Sequence, residues 1–205
     1  MPERIGILGG TFDPPHYAHL ILAQHAYEEL RLDHVLFVPA GQPVHKGERT
    51  AIVHRVNMLL LALGDDTPHF VLSRVEIDRP GPHYTVDTIQ IIRHQNPDAE
   101  LFFLMGGDVY RDLPNWERPR QMFQSAKLAV AVTRRPGYGD LDVSLDMHHE
   151  AVPELESHAL MLSSPLVEFS STDIVDRLRA GRSVRYMLPD VVLEYIREHK
   201  LYEVN

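Results

Sequence analysis

The sequence predicts an α/β protein: a mostly parallel sheet with helices on both faces, followed by a C-terminal helical piece. Short apolar runs alternate with segments of helical apolar spacing from Arg4 to Thr133, the order that builds strand-helix-strand units. The runs are continuously apolar rather than alternating, as strands buried on both faces are. The last fifth of the chain carries two helical patterns instead.

The elements follow in order. Arg4 to Leu8 reads as the first strand, with Gly9-Gly10 as a break before a helix over His16 to Leu30. Val35 to Val38 is the second strand, and Ala51 to Leu63 a helix with Thr50 as its N-cap. Phe70 to Ser73 is the third strand; Val86 to Gln95 is a helix capped by Thr85. Leu101 to Met105 and Leu128 to Thr133 complete the strands, and Arg135 to Glu156, rich in Gly, Asp and His, reads as a loop. Ser170 to Arg179 is a short helix with hydroxyls at its start and Gly181 just past its end, and Pro189 opens a second helix. This is a Rossmann-like arrangement, whose ligand cleft lies at the carboxyl ends of the strands. Gly9-Gly10, Pro39-Ala40, Gly106 to Asp108 and Arg134 all fall there. One domain over 1–205 is expected, with 170–205 as a helical subregion.

Composition narrows the partners. A formal charge of −9 and a pI near 5.8 argue against a nucleic-acid surface. The absence of cysteine excludes a thiolate nucleophile and fits a reducing compartment. No apolar run approaches a membrane span, so a cytoplasmic protein is expected; a homo-oligomer is compatible with the sequence.

The segment IGILGGTFDPPHYAHL holds most of the chemistry. A loop of this kind brings backbone N–H groups and two imidazoles, His16 and His19, to one helix N-terminus, where partial positive charge favours phosphate. It is neither a dinucleotide fingerprint nor a Walker A loop. The histidines are three residues apart, near one face. As zinc ligands they lack a third partner, since Asp13, beside Pro14 and Pro15, is poorly placed and cysteine is absent.

The stretch GGTFDPPHYAHL resembles the signature of nucleotidylyltransferases that carry a GxFDPxHxGH loop, with Gly10, Phe12, Asp13, Pro14, His16 and His19 on matching positions and Ala18 replacing a glycine. Ser170 to Arg179 resembles the ISSTxIR element of the same enzymes. PAGQPVHK, HYTVDT, GGDVYRDLPNW, RRPGY and YMLPDVVLEYI resemble landmarks of the bacterial nicotinate-nucleotide adenylyltransferases, so the resemblance runs the length of the chain.

The resemblance implies a nucleotidyltransferase fold and transfer of the adenylyl group of ATP to the phosphate of nicotinate mononucleotide, with Mg²⁺ carried mainly by the ATP phosphates. It implies His16, His19 and Lys46 as the catalytic residues on the phosphates. It implies ATP contacts at Gly9, Gly10, Thr11, Phe12, Gly106, Asp108, Ser170, Ser171 and Thr172. It places the nicotinate nucleotide against Tyr84, Thr85, Asp108, Trp116 and Arg134, with no metal bound by the protein itself. One departure stands out: the motif's final Arg is Val175 here. Arg177 falls on the far side of the helix, whereas Arg179, one turn on, shares the face of Val175 and is the candidate substitute. Competing readings are an amidated or other phosphate acceptor, a nucleotide-binding regulator without turnover, and a metal-dependent hydrolase suggested by 13 His.

Overall fold

The computed structural model describes residues 1–41, 50–65, 67–106, 109, 112–124, 128–133, 159–162, 165, 167 and 169–202. Strands β1 (Arg4–Gly10), β2 (His34–Pro39), β3 (Phe70–Leu72), β4 (Glu100–Met105), β5 (Leu128–Thr133) and β6 (Ala159–Leu162) form one sheet in the order β3-β2-β1-β4-β5-β6. Every neighbouring pair is parallel. Helices α1 (Tyr17–Glu29), α2 (Ile52–Leu63) and α3 (Thr85–Gln95) follow the first three strands. A 3₁₀ turn at Leu113–Asn115 and a short helix at Pro119–Gln124 lie between β4 and β5. The hydroxyl-capped helix Ser171–Arg179 and the C-terminal helix Asp190–Glu198 end the chain.

The pleat explains why the central strands read as apolar without alternation: both faces of β1 and β4 are buried. Ile5 and Ile7 of β1 join Leu101, Phe103 and Met105 of β4 on one face, where Val86, Ile89 and Ile92 of α3 cover them. Leu8, Val35, Phe37, Phe102 and Leu104 point to the other face, against Leu22, Ala23 and Ala26 of α1 and Leu59 and Leu63 of α2. Gly6 faces this second core, and a Cβ there would sit 2.7 Å from Leu32 Cδ1. A third core gathers Ile174, Val184, Leu188, Val192, Leu193 and Ile196 around Met58 of α2.

Several boundaries differ from expectation for local reasons. β1 runs through Gly9-Gly10, because both glycines stay paired with Val38 and Pro39 of β2. The N-caps are Ala51 and Tyr84, each one residue from the expected Thr50 and Thr85. The Thr50 N–H is engaged by Asp13 instead, and Thr85 is already helical. β6, four residues long, is a further strand beyond those the pattern predicts. The expected loop 135–156 lies outside the described residues.

Candidate active site

The strand order reverses between β1 and β4, and a crevice for a ligand opens at the carboxyl ends of strands flanking such a switch point. At this end of β1 the Ala40 N–H donates to the Gly10 carbonyl at 2.8 Å, closing β1 onto the end of β2. The chain then turns through Phe12 at φ 51, a left-handed conformation that folds the ring back over Gly10. A Cβ on Gly10 would lie 3.1 Å from that ring and would press on it. Phe12 is buried and touches Phe37 with ring centroids 5.9 Å apart and His19 at 4.9 Å.

His16 is the N-cap of α1 and His19 is the third residue inside it. Their rings stack at 3.7 Å with planes 21° apart, and Phe169 packs edge-on against His16 at 5.4 Å. The His16 N–H donates to His19 Nδ1 at 3.2 Å. A neutral His19 therefore carries its proton on Nε2. Burial pushes the His16 imidazole down to about 4, against the pull of Asp173. His19 is driven well below its ordinary value by burial and then by His16. His16 Nδ1 is buried with no hydrogen-bond partner among the described residues. Two neutral imidazoles thus stand at a helix N-terminus, able to donate without carrying charge of their own.

The loop that carries them is tied from behind. The Ser171 hydroxyl donates to the Pro14 carbonyl at 2.8 Å, and the Tyr17 N–H donates to Met187 O at 3.0 Å. Ser170 caps its helix in a reciprocal box with Asp173: the Asp173 N–H donates to Ser170 Oγ at 3.2 Å, while the Ser170 N–H donates to Asp173 Oδ2 at 2.8 Å. Thr172 is exposed at the same helix start. Arg177 Nε donates to the Ser183 carbonyl, and Arg179 is exposed.

Of the residues expected to meet the pyridine nucleotide, Tyr84 and Trp116 belong to the opposite face of the sheet. Tyr84 and Trp116 pack on the core beneath α3, with the Trp116 ring edge-on to Phe103 at 6.0 Å. Thr85 begins α3, and Gly106 follows β4. Arg118 lies 6.0 Å over the Tyr84 ring and pairs with Asp87. Nearby, the Thr88 hydroxyl donates to buried Glu76 at 2.6 Å, and Glu76 also accepts from the Gly41 N–H at 3.3 Å. The sheet edge at Gly9-Gly10 and Gly106 thus separates a histidine side from an aromatic side. Lys46, Asp108 and Arg134 lie outside the described residues.

Sequence reasoning missed two residues, Arg55 and Tyr202. Arg55 is buried, and its guanidinium donates to the carbonyls of Thr11 at 2.9 Å, Ala40 at 2.8 Å and Thr50 at 3.1 Å. Its signal was available: a charged residue on the buried stripe of α2, four before Leu59. Tyr202 donates to Asp13 Oδ1 at 2.6 Å, and the Thr50 N–H donates to Asp13 Oδ2 at 3.2 Å. Asp13 is thereby engaged as an acceptor, and no three His, Asp or Glu side chains converge as a metal site among the described residues. Nothing in the sequence pairs positions 13 and 202. No helix among the described residues is long and apolar enough to cross a membrane.

Comparison with known proteins bears on the family and the fold. The cytidylyltransferase-like family model matches residues 7–177. A protein of Thermomicrobium roseum named a probable nicotinate-nucleotide adenylyltransferase is 47% identical over 98% of this chain and 92% of its own length. One of the same name from Thermus thermophilus is 46% identical over 97% of this chain and 99% of its own. Among solved structures, nicotinic acid mononucleotide adenylyltransferase of Plasmodium falciparum complexed with NaAD superposes with a TM-score of 0.78 at 18% identity, over 98% of this chain and 97% of that one. This last likeness bears on the fold alone.

Proposed function

The chain belongs to the cytidylyltransferase-like family, and from that premise we propose that it is a nicotinate-nucleotide adenylyltransferase, joining ATP and nicotinate mononucleotide into nicotinate adenine dinucleotide with release of pyrophosphate. The observation that carries the chemistry is the stacked, neutral His16–His19 pair at the start of α1, beside the switch point of the sheet. Relatives of that name at 46–47% identity over nearly the whole chain support the choice of acceptor.

The acceptor phosphate is already an anionic nucleophile, so neither a general base nor a covalent intermediate is needed. The protein must align that phosphate with the α-phosphorus and screen two mutually repelling anions. Alignment supplies roughly 7–11 kcal/mol in favourable cases, and fixed donors add to it. His16 and His19 donate to the ATP phosphates and follow the charge that grows on the bridging oxygen. Lys46 clamps the triphosphate. Gly9, Gly10, Thr11, Phe12, Gly106, Ser170, Ser171 and Thr172 line the ATP side. Tyr84, Thr85 and Trp116 receive the pyridine ring, whose positive charge an aromatic face attracts; Arg134 pairs with the mononucleotide phosphate. Asp108 serves the ribose or a hydrated metal ion. Mg²⁺ would be held mainly by ATP and water and would screen the phosphate charge, in keeping with its reluctance to dehydrate and with the engagement of Asp13 by Tyr202 and Thr50. The charge balance and lack of cysteine support a cytoplasmic setting.

The test is pyrophosphate release with ATP and Mg²⁺, offering nicotinate and nicotinamide mononucleotides in parallel. Release is expected to favour the acid strongly, and His16→Ala to lower kcat by about 10²–10³, the usual cost of removing one transition-state donor. Equal release with both acceptors would remove the acid specificity, and an undiminished His16→Ala would remove the role of the histidine.

A further inference from the structure

The phosphate loop is gripped from its rear by groups that the transfer chemistry leaves without a task. Asp13 sits three residues before His16, and a carboxylate free to swing toward an incoming triphosphate would repel it. Both of its oxygens are held: Oδ1 by the Tyr202 hydroxyl at 2.6 Å and Oδ2 by the Thr50 N–H at 3.2 Å. The Thr50 carbonyl accepts from Arg55 Nε, and Arg55 Nη1 reaches on to Thr11 O at 2.9 Å and Ala40 O at 2.8 Å. A single network therefore joins the C-terminal segment, the start of α2, the end of β2 and the loop after β1.

We infer that Tyr202 and Arg55 are positioning residues of the ATP site: Tyr202 restrains the Asp13 carboxylate, and Arg55 fixes the carbonyls of Thr11 and Ala40, so that the loop presents its N–H groups and histidines to the phosphates. A planar guanidinium suits this task, because its fork engages several carbonyls at fixed angles where an ammonium would act as a point charge. Half-buried beside Met58 and Asp13, the Tyr202 hydroxyl is held above its ordinary pKa, first by desolvation and then by the carboxylate, and so stays a donor. The inference rests on the reading that this loop binds ATP.

The experiment is calorimetric titration of ATP with Mg²⁺, without acceptor, into the unaltered chain, Tyr202→Phe, Asp13→Asn and the double variant. Tyr202→Phe is expected to weaken ATP about tenfold, and the same exchange to cost less than twofold when Asp13 is already Asn, since the hydroxyl acts through that charge. An equal loss in both backgrounds, or none in the first, overturns the role of Tyr202. Arg55→Lys is the parallel variant, needed where Tyr202→Phe fails to give a native thermal transition. It is expected to weaken ATP about tenfold at a native thermal transition and to lower kcat at saturating ATP with it, since the loop that Arg55 fixes carries both histidines, and unaltered affinity overturns the role of Arg55. Failure of the functional reading is separable: ATP binding without turnover of nicotinate mononucleotide sinks the acceptor and leaves the affinity comparison intact. Absence of ATP binding by the unaltered chain sinks both.

Discussion

His16 and His19 couple the site to pH in a direction set by their burial. With a folded value of about 4 against 6.5 in the unfolded chain, His16 stays neutral in the native state over a range in which the unfolded chain takes up a proton. Stability is therefore complete above about pH 6.5 and declines as pH falls toward 4, by on the order of 3 kcal/mol for this one group. His19 shifts in the same direction. Urea midpoints at pH 7.5, 6.0 and 5.0 are expected to fall steadily, and His16→Asn to flatten the slope. A slope that the variant leaves unchanged would mean that this imidazole protonates in the folded protein. Gly41 poses a steric problem at the same scale. A Cβ there would lie 2.3 Å from the Glu76 carbonyl and 2.7 Å from the His83 ring. Gly41→Ala is expected to cost about 1–3 kcal/mol, as overpacking does. An unshifted thermal midpoint would show that the Glu76 segment yields freely.

At the scale of elements, the hydroxyl-capped helix meets the loop after β1 through Ser171, yet it lacks the motif's cation because position 175 is valine. Val175 is half-buried one turn into that helix. Val175→Arg is expected to tighten ATP about fivefold, near 1 kcal/mol, by adding a charge-assisted contact to phosphate. Unchanged or weaker binding by calorimetry would place the triphosphate elsewhere than beside this helix. The same elements show how far a sequence carries. The succession of strands and helices and the GGTFDPPHYAHL loop were legible because each is local: a run or period of apolar residues, or six residues at fixed spacing. The N-caps differ by one residue from the expected Thr50 and Thr85, since Ala51 and Tyr84 hold the cap positions without a side-chain cap bond. The grip of Tyr202 on Asp13 spans 189 positions, and no periodicity reports such a pair.

Across the whole molecule, α2 is shared property. Met58 belongs to the core built by the C-terminal region, while Leu59 and Leu63, on the same helix, belong to the core beneath α1. The C-terminal helix contributes Val192, Leu193 and Ile196 to the first of these, and Tyr195 hydrogen-bonds across to His54 at 2.9 Å and Asn57 at 3.0 Å on α2. Detaching that helix would expose Met58, free the Tyr202 end of the phosphate-loop network and leave α2 packed on one side only. The helical subregion and the sheet should therefore unfold together, as one cooperative unit. Ile196→Ala, at a side chain only 2% exposed, is expected to cost about 2–5 kcal/mol. That loss should appear equally in hydrogen-exchange opening free energies of the C-terminal helix and of β1, with a single thermal transition moved to lower temperature. If instead the C-terminal amides lost protection while β1 kept its own, the subregion would be a separable appendage. ATP would then meet a loop whose rear support opens independently of the fold.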